Sequence, residues 1–520
     1  MATIEAVTVW QLTDARANAT PDAVIAVDDN GREMTCAEFR DRSEVMAAGL
    51  LNAGVTAGSR VSWQLPTSFE SVILCAALSR LGARQNPIIP IYREREVGFC
   101  LNQTEAELFI VPEAFRGFGF ADMARTLAAE IAGCDVLVVG PDAWPRGDPG
   151  DLPGVAALPE DAGTSGTHYP ANWVYYTSGT TSDPKGALHT DFTLITEAQT
   201  MVDALTLTDA DNWPLVFPFT HIGGIGLVLA SLITGAKLLV SDTFDPVATP
   251  AFLSAKDMTV GGSGAYFFMS YLAAQAQQPD TPLFPNLRTT TGGGSVTPPG
   301  LHARVRDELG GMGIQTSYGL TEIPICTYGR PDDPEDMLDS TEGRAVAGYD
   351  FKVVDADENP VPDGIEGQLL VRGPSRCVGY LDRSLDARAF DNDGYFRTGD
   401  LGVRTPEGFI SITGRVKDVI IRNGENISAK AVEDLLFSHP LVREVAAIGV
   451  PDPKTGERCC AVLALNDRGV SLSMEDVREF LIDKGLMRQM IPEQLEFVDM
   501  LPRNPAGKVL KKDLRTQFGS

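Results

Sequence analysis

Apolar positions along the chain recur with two periods. Phe39, Met46 and Leu50 share one helical face, behind a Thr35-Cys-Ala-Glu38 capping box and ahead of Gly54. Val61, Trp63 and Leu65 alternate as in a strand, residues 69–81 return to helical spacing, and Gly82 closes them. Short apolar runs at 87–91, 108–111 and 136–139 read as further strands. Strands alternating with helices predict an α/β layer structure. Residues 144–168 are rich in Pro, Gly and Asp and read as a loop.

The pattern starts again beyond it. Residues 194–205 and 225–232 are predicted helices, and 215–217 and 237–240 are predicted strands, so two α/β units stand in tandem. From 343 to 414 strands at 351–354, 368–371 and 409–412 are separated by Gly, Pro and Asp, as in a small antiparallel barrel or sheet. The tail carries helices at 429–438 and 474–484 and strands at 445–450, 461–465 and 495–498, an α+β module large enough to fold separately. The predicted organisation is α/β: an N-terminal domain over 1–415, made of two α/β subdomains and a small β-barrel, and a mobile α+β domain over 416–520, hinged near 415–418.

Composition narrows the partners. The chain has 520 residues, with 43 basic against 70 acidic side chains and a formal net charge of −27. That disfavours nucleic acid and anionic membranes, and it requires any anionic substrate to meet a local cluster of positive groups. The eight cysteines are scattered without zinc-site spacing and read as reduced core residues. No apolar run has membrane-spanning length and the N-terminus carries no signal-peptide pattern, so the expectation is a cytoplasmic protein, with a homodimer compatible.

Five polar, glycine-rich stretches carry candidate chemistry. Tyr-Thr-Ser-Gly-Thr-Thr-Ser-Asp-Pro-Lys-Gly at 176–186 brings hydroxyls, glycine and Lys185 together, which suits a polyphosphate, although the spacing is not that of a Walker A loop. Phe-Pro-Phe-Thr-His-Ile-Gly-Gly-Ile-Gly at 217–226 sets His221 before three glycines. Thr-Gly-Gly-Gly-Ser at 291–295 lets backbone approach a flat ligand. Tyr-Gly-Leu-Thr-Glu at 318–322 offers a ring, a hydroxyl and a carboxylate; magnesium is commonly held by one or two carboxylates plus substrate phosphates. Tyr-Phe-Arg-Thr-Gly-Asp at 395–400 precedes Gly-Arg-Val-Lys-Asp at 414–418, and Lys508 follows a glycine near the end. Each stretch read alone could be capping, turn chemistry or surface charge.

Together, and in this order, they resemble the adenylate-forming superfamily of acyl-CoA synthetases, peptide-synthetase adenylation domains and beetle luciferases. The resemblance spans nearly the whole chain. Ser182 departs from it, standing where a glycine is usual. It implies an enzyme, an acid–thiol ligase of the AMP-forming acyl-CoA synthetase type, using ATP, Mg²⁺ and coenzyme A on a small-molecule carboxylic acid. Thr177, Ser178, Gly179, Thr180, Thr181 and Lys185 would cradle the β- and γ-phosphates. Thr321 would meet the α-phosphate, and Glu322, with Thr177, would hold magnesium. Tyr318, Gly319, Gly292, Gly293 and Gly294 would flank the adenine, with Asp400 and Arg415 on the ribose. Lys508 would bridge carboxylate and α-phosphate. Lys417 matches the hinge, Gly424 the loop approaching pantetheine, and His221 the residue between acyl pocket and thiol channel. Ile222, Gly223, Gly264, Phe268 and Ile323 are the expected pocket lining. With no Asp or Lys in the stretches assigned to that pocket, the expected substrate is a hydrophobic acid, medium-chain, branched or cyclic, rather than an amino acid. The rivals are an adenylating enzyme that loads a carrier protein, a phosphotransferase, which would release ADP, and a silent binding module, which would have lost the motif residues.

Overall fold

The capping box at Thr35 forms as its spacing predicts. Thr35 Oγ1 accepts the Glu38 N–H at 3.2 Å, Glu38 Oε2 accepts the Thr35 N–H at 2.8 Å, and the helix Cys36–Asn52 follows. A cap of this kind contributes about 1 kcal/mol by satisfying helix-end donors. The helix Phe69–Leu81 ends on Gly82 at φ +69° and is buried on most sides, which its nearly unbroken apolar sequence demands. The computed structural model describes residues 3–141, 143–155, 168–177, 184–294, 297–422, 425–467, 471–503 and 508–519.

Among the described residues, five sheets of four or more strands organise the fold. The first runs Lys185–His189, Trp173–Thr177, Arg84–Pro87, Arg60–Trp63, Leu108–Pro112, Asp135–Val139; it is parallel except for the hairpin of its first two strands. The second runs Asn212–Leu215, Lys237–Val240, Val24–Asp28, Glu33–Thr35. The third runs Val260–Ser263, Thr289–Gly292, Ile314–Leu320, Ile323–Tyr328, Arg344–Ala345. Where a small antiparallel barrel or sheet was expected, Asp350–Val354, Gly367–Arg372, Phe396–Arg404 and Ile410–Arg415 form an antiparallel meander. The tail has its own sheet, centred on Gly456–Leu465 and covered by the helices Ala429–Phe437 and Met474–Asp483. Among the described residues no helix is long and apolar enough to cross a membrane.

Several expectations need correction. The two α/β units are interleaved, because Val24–Asp28 pairs in parallel with Lys237–Val240 of the second unit. The strand expected at 87–91 is Arg84–Pro87. Its polar residues hide it: Gln85 and Asn86 are buried but bonded, Gln85 Nε2 to Cys75 O and Asn86 Nδ2 to Ser62 Oγ. Pro87 and Pro90 cannot donate to a ladder, so the apolar residues after Pro87 turn out into a loop. The strand at 215–217 likewise lies earlier, at Asn212–Leu215. The glycine-bearing stretch 395–400 lies mainly in the strand Phe396–Arg404, where Phe396, Thr398 and Asp400 alternate inward.

Candidate active site

A tight hairpin sits at the centre of the site. Leu320 pairs with Ile323, so Thr321 and Glu322 are the two residues of the hairpin tip. Gly319 is required beneath them, because a Cβ there would lie 1.7 Å from Pro324 O. Tyr380 Oη donates to Glu322 Oε1, and the Lys185 ammonium lies 5.6 Å from the Tyr380 ring centroid. The segment around Tyr380 docks on the strand Lys185–His189, with Leu188 N donating to Gly379 O at 2.9 Å and Leu381 N to Gly186 O at 2.8 Å. That strand pairs Lys185 with Thr177, so the two ends of the hydroxyl-rich loop face each other. Ser178, Gly179, Thr180 and Thr181, with Ser182, lie outside the described residues, as does Gly424.

Asp400 is almost fully buried and doubly held. It accepts from Tyr318 Oη at 2.6 Å through Oδ2 and from Arg415 Nε through Oδ1. Arg415 stands opposite Asp400 in register on the neighbouring strand. Ser317 Oγ donates to Gly292 O at 3.0 Å, and a Cβ at Gly293 would lie 2.7 Å from Ser317 Oγ, so only glycine allows this approach. Gly294 has φ +73° and leaves open space beside it. Burial raises the Glu322 carboxyl, opposed by Tyr380 and by the Lys185 and Arg415 charges.

Lys508 comes from the tail, more than ninety positions beyond Arg415 in the numbering, yet lies in the electrostatic field of Arg415, Asp400, Lys417 and Asp418. Burial, then the Arg415 charge, brings its ammonium down to about 8. His221 is held at about 4 by burial and by the Lys508 charge, so it is neutral near pH 7. It caps the helix Ile222–Thr234, with Nδ1 accepting the Gly223 N–H at 3.3 Å, which leaves the ring proton on Nε2. Lys417 is exposed in the turn Val416–Asp418, and Arg515 of the last helix pairs with Asp418 at 2.9 Å.

A small pocket lies beside His221 and Thr321, lined also by Ile88, Tyr92, Tyr176, Thr220 and Ile222. Ile222, expected in the acyl pocket, lines this one. Gly223 is half-buried beside it, with only His221 Nδ1 within reach of a Cβ, at 3.7 Å. Gly264 caps the helix Ala265–Ala276. Phe268 and Ile323 need correction as pocket walls. Phe268 packs among Phe267, Tyr271 and Leu283, because the helix turns its Phe267, Phe268, Tyr271 and Leu272 stripe to that core. Ile323 packs under the antiparallel meander with Ala187, Phe351 and Leu369, as strand alternation from Glu322 dictates.

Sequence reading missed three residues. His189 is fully buried; its Nε2 donates to Thr321 O at 2.8 Å and its Nδ1 meets Thr193 Oγ1 at 3.0 Å, fixing the hairpin tip from behind. One of five histidines, at the end of a strand and before a Thr cap, it carried a usable signal. Tyr380 and Glu197 had none, since nothing local links them to the motifs.

The known proteins similar to this chain agree with the geometry. The AMP-binding enzyme family matches residues 13–381, and its C-terminal domain, described as AMP-binding enzyme C-terminal domain, matches 431–508. Medium-chain fatty-acid–CoA ligase of Escherichia coli is 31% identical, covering 97% of this chain and 89% of that protein. Salicyl-AMP ligase / salicyl-S-ArCP synthetase of Mycobacterium tuberculosis is 32% identical, covering 98% and 90%. ATP-bound MatB from Rhodopseudomonas palustris superposes with a TM-score of 0.86 at 27% identity, over 98% of this chain and 99% of that one. The chain belongs to the AMP-binding enzyme family, in the adenylate-forming superfamily that includes acyl-CoA ligases.

Proposed function

We propose that this chain is an AMP-forming acid–thiol ligase. It joins a hydrophobic carboxylic acid, medium-chain, branched or cyclic, to AMP with release of pyrophosphate, and passes the acyl group to the thiol of coenzyme A. The observation that carries this reading is the convergence of Lys508 from the tail on Asp400, Arg415 and His221.

A carboxylate and a triphosphate repel, so their reaction needs fixed positive charge where they meet. Lys508 supplies it. Its ammonium spans the carboxylate and the α-phosphate while an oxygen–phosphorus bond forms and the bond to pyrophosphate breaks. Arg415 and Tyr318 hold Asp400 ready to accept ribose hydroxyls. Tyr318 with Gly292, Gly293 and Gly294 flanks the adenine. Thr177, Ser178, Gly179, Thr180, Thr181 and Lys185 grip the leaving pyrophosphate, and the Thr321 hydroxyl meets the α-phosphate.

The donors present fit magnesium. Glu322 is buried, forms no ion pair among the described residues, and would gain from an added cation. Among those residues no cluster of three or more His, Cys, Asp or Glu would hold a metal unaided, which suits an ion whose shell is completed by phosphate and water. Glu322 with Thr177 would hold Mg²⁺, which when bound offsets phosphate charge.

For the second step the tail turns about Lys417, withdrawing Lys508 and bringing the loop at Gly424 toward the pantetheine arm. The thiol then adds to the acyl carbonyl carbon and AMP leaves. The alternative acceptor is a carrier-protein thiol, the kind of product named for the salicyl-AMP relative. A panel of carboxylic acids with ATP, Mg²⁺ and coenzyme A tests the proposal, read by pyrophosphate release and thioester mass. The expected outcome is AMP, pyrophosphate and acyl-CoA from at least one hydrophobic acid. ADP in place of AMP would overturn it, and pyrophosphate without thioester would move the acceptor to a carrier protein.

A further inference from the structure

Glu197 lies on the helix Asp191–Leu205 and is fully buried, and among the described residues neither carboxyl oxygen has a hydrogen-bond partner. Buried polar groups without partners are exceptions that call for a reason. Its position offers one. The neighbouring helix Ile222–Thr234 carries Gly226 against it, and a Cβ built at Gly226 would lie 2.9 Å from Glu197 Oε1 and 2.9 Å from Met201 Cε. A side chain at 226 would crowd the carboxyl, so glycine is what lets the two helices meet at Glu197. Gly226 stands four residues, about 6 Å, beyond Ile222, on nearly the same face, and Ile222 lines the pocket beside His221.

The other helix gives the same location. Thr193 contacts His189, which donates to the carbonyl of Thr321 at the hairpin tip. Glu197 follows Thr193 by one turn on the same face. Both helices therefore put the Glu197 carboxyl one turn deeper than the reaction centre. Burial raises this carboxyl well above its ordinary value, which favours the protonated form, a group that can both donate and accept.

We infer that Glu197 is a specificity-determining residue that reads a hydroxyl group on the acyl substrate, several bonds from the reacting carboxylate. The inference rests on the ligase reading and deepens it: the acid has an apolar body and a hydroxyl that exchanges hydrogen bonds with Glu197. A hydroxyl matches a neutral carboxyl because each can donate once and accept once. A plain hydrocarbon acid would leave the carboxyl as unsatisfied as it is now, and a site built around such a group rejects the analogue that lacks the partner.

The test uses the full chain and matched acid pairs: octanoate and its terminal hydroxy derivative, phenylpropanoate and its para-hydroxy derivative, benzoate and its meta-hydroxy derivative. Pyrophosphate release is the readout, because it does not depend on the thiol acceptor. In at least one pair the hydroxy acid should exceed its parent by about tenfold or more in kcat/KM. Glu197→Gln, which still donates and accepts, should keep that preference, and Glu197→Leu should erase or invert it while KM for ATP stays unchanged. A parent acid equal to or better than its hydroxy derivative in every pair would overturn the inference and leave the ligase reading standing. So would a preference that survives Glu197→Leu. Pyrophosphate from none of the acids would overturn the ligase reading and the inference with it.

Discussion

Asp400 and Glu197 are both buried carboxyls, and the protein treats them in opposite ways. Asp400, on the nucleotide side, is gripped by Tyr318 and Arg415 before any ligand arrives. Glu197, on the proposed acyl side, has no partner for either oxygen among the described residues. The difference follows from what each side binds. ATP presents the same ribose and phosphates in every turnover, so donors fixed in advance cost no reorganisation during reaction. On the proposed acyl side, a polar group would gain its partner only when its acid is bound. Preorganisation belongs to the shared step, and an unsatisfied group to the selective one.

The largest expected effect comes from removing the cation that joins the two sides. Lys508→Ala should slow acyl-adenylate formation by on the order of 10²–10³, measured by pyrophosphate release, while supplied acyl-AMP is still converted with coenzyme A to thioester. Wild-type adenylation in the variant would dissolve the link between the sides. A pH profile sharpens the same point. With its ammonium lowered to about 8, Lys508 is charged below that pH and loses its proton above it. Since kcat/KM reports the free enzyme, kcat/KM for ATP should fall as pH rises through about 8. The fall should be absent in Lys508→Arg, whose charge persists across this range.

These contrasts also explain what could be read from the chain. The residues of the proposed nucleotide side could be picked out because they come in short runs: Tyr318 to Glu322 occupy one hairpin, and Asp400 and Arg415 face each other on adjacent strands. The helices at 69–81 and 474–484 were legible because capping and apolar spacing act locally. The acyl side is assembled from separate helices whose contact is tertiary. Glu197 meets Gly226 across two helices, and neither position carries a local mark of the other. Phe268 and Ile323 were misassigned for the same reason: the sequence marks them as apolar without saying which core they enter.

Gly226→Ala tests the acyl side alone. Its new methyl would meet two side-chain ends, Glu197 Oε1 and Met201 Cε, both able to shift, so the fold should survive. The displaced carboxyl and lost volume should raise KM for the preferred acid by roughly tenfold, the scale of one methylene in a pocket, and leave KM for ATP unchanged. A change in both constants would show that the two sides are mechanically coupled.

The smallest effect is expected at the seam between the tail and the nucleotide side. Glu342 accepts the Ile412 N–H at 2.8 Å, and Lys430 and Asp434 on the tail helix Ala429–Phe437 lie in its field. Ser428 Oγ, at the cap of that helix, donates to Thr413 O at 2.9 Å, so the seam is closed on both sides of Glu342. Burial raises the Glu342 carboxyl from 4.5 to about 7, with the Ile412 hydrogen bond and Lys430 opposing. The folded form thus holds an extra proton between these two values. Its contribution to stability is complete below about 4.5 and is lost as pH rises through about 7. Glu342→Gln keeps a neutral acceptor for Ile412 and removes the proton. Melting curves from pH 5 to 8 should therefore show wild type losing ground to the variant, at roughly 2–4 °C per kcal/mol. Parallel curves would mean that Glu342 ionises freely, and that the tail is held over the nucleotide side by Lys508 and the Ser428–Thr413 contact without a proton stored at the seam.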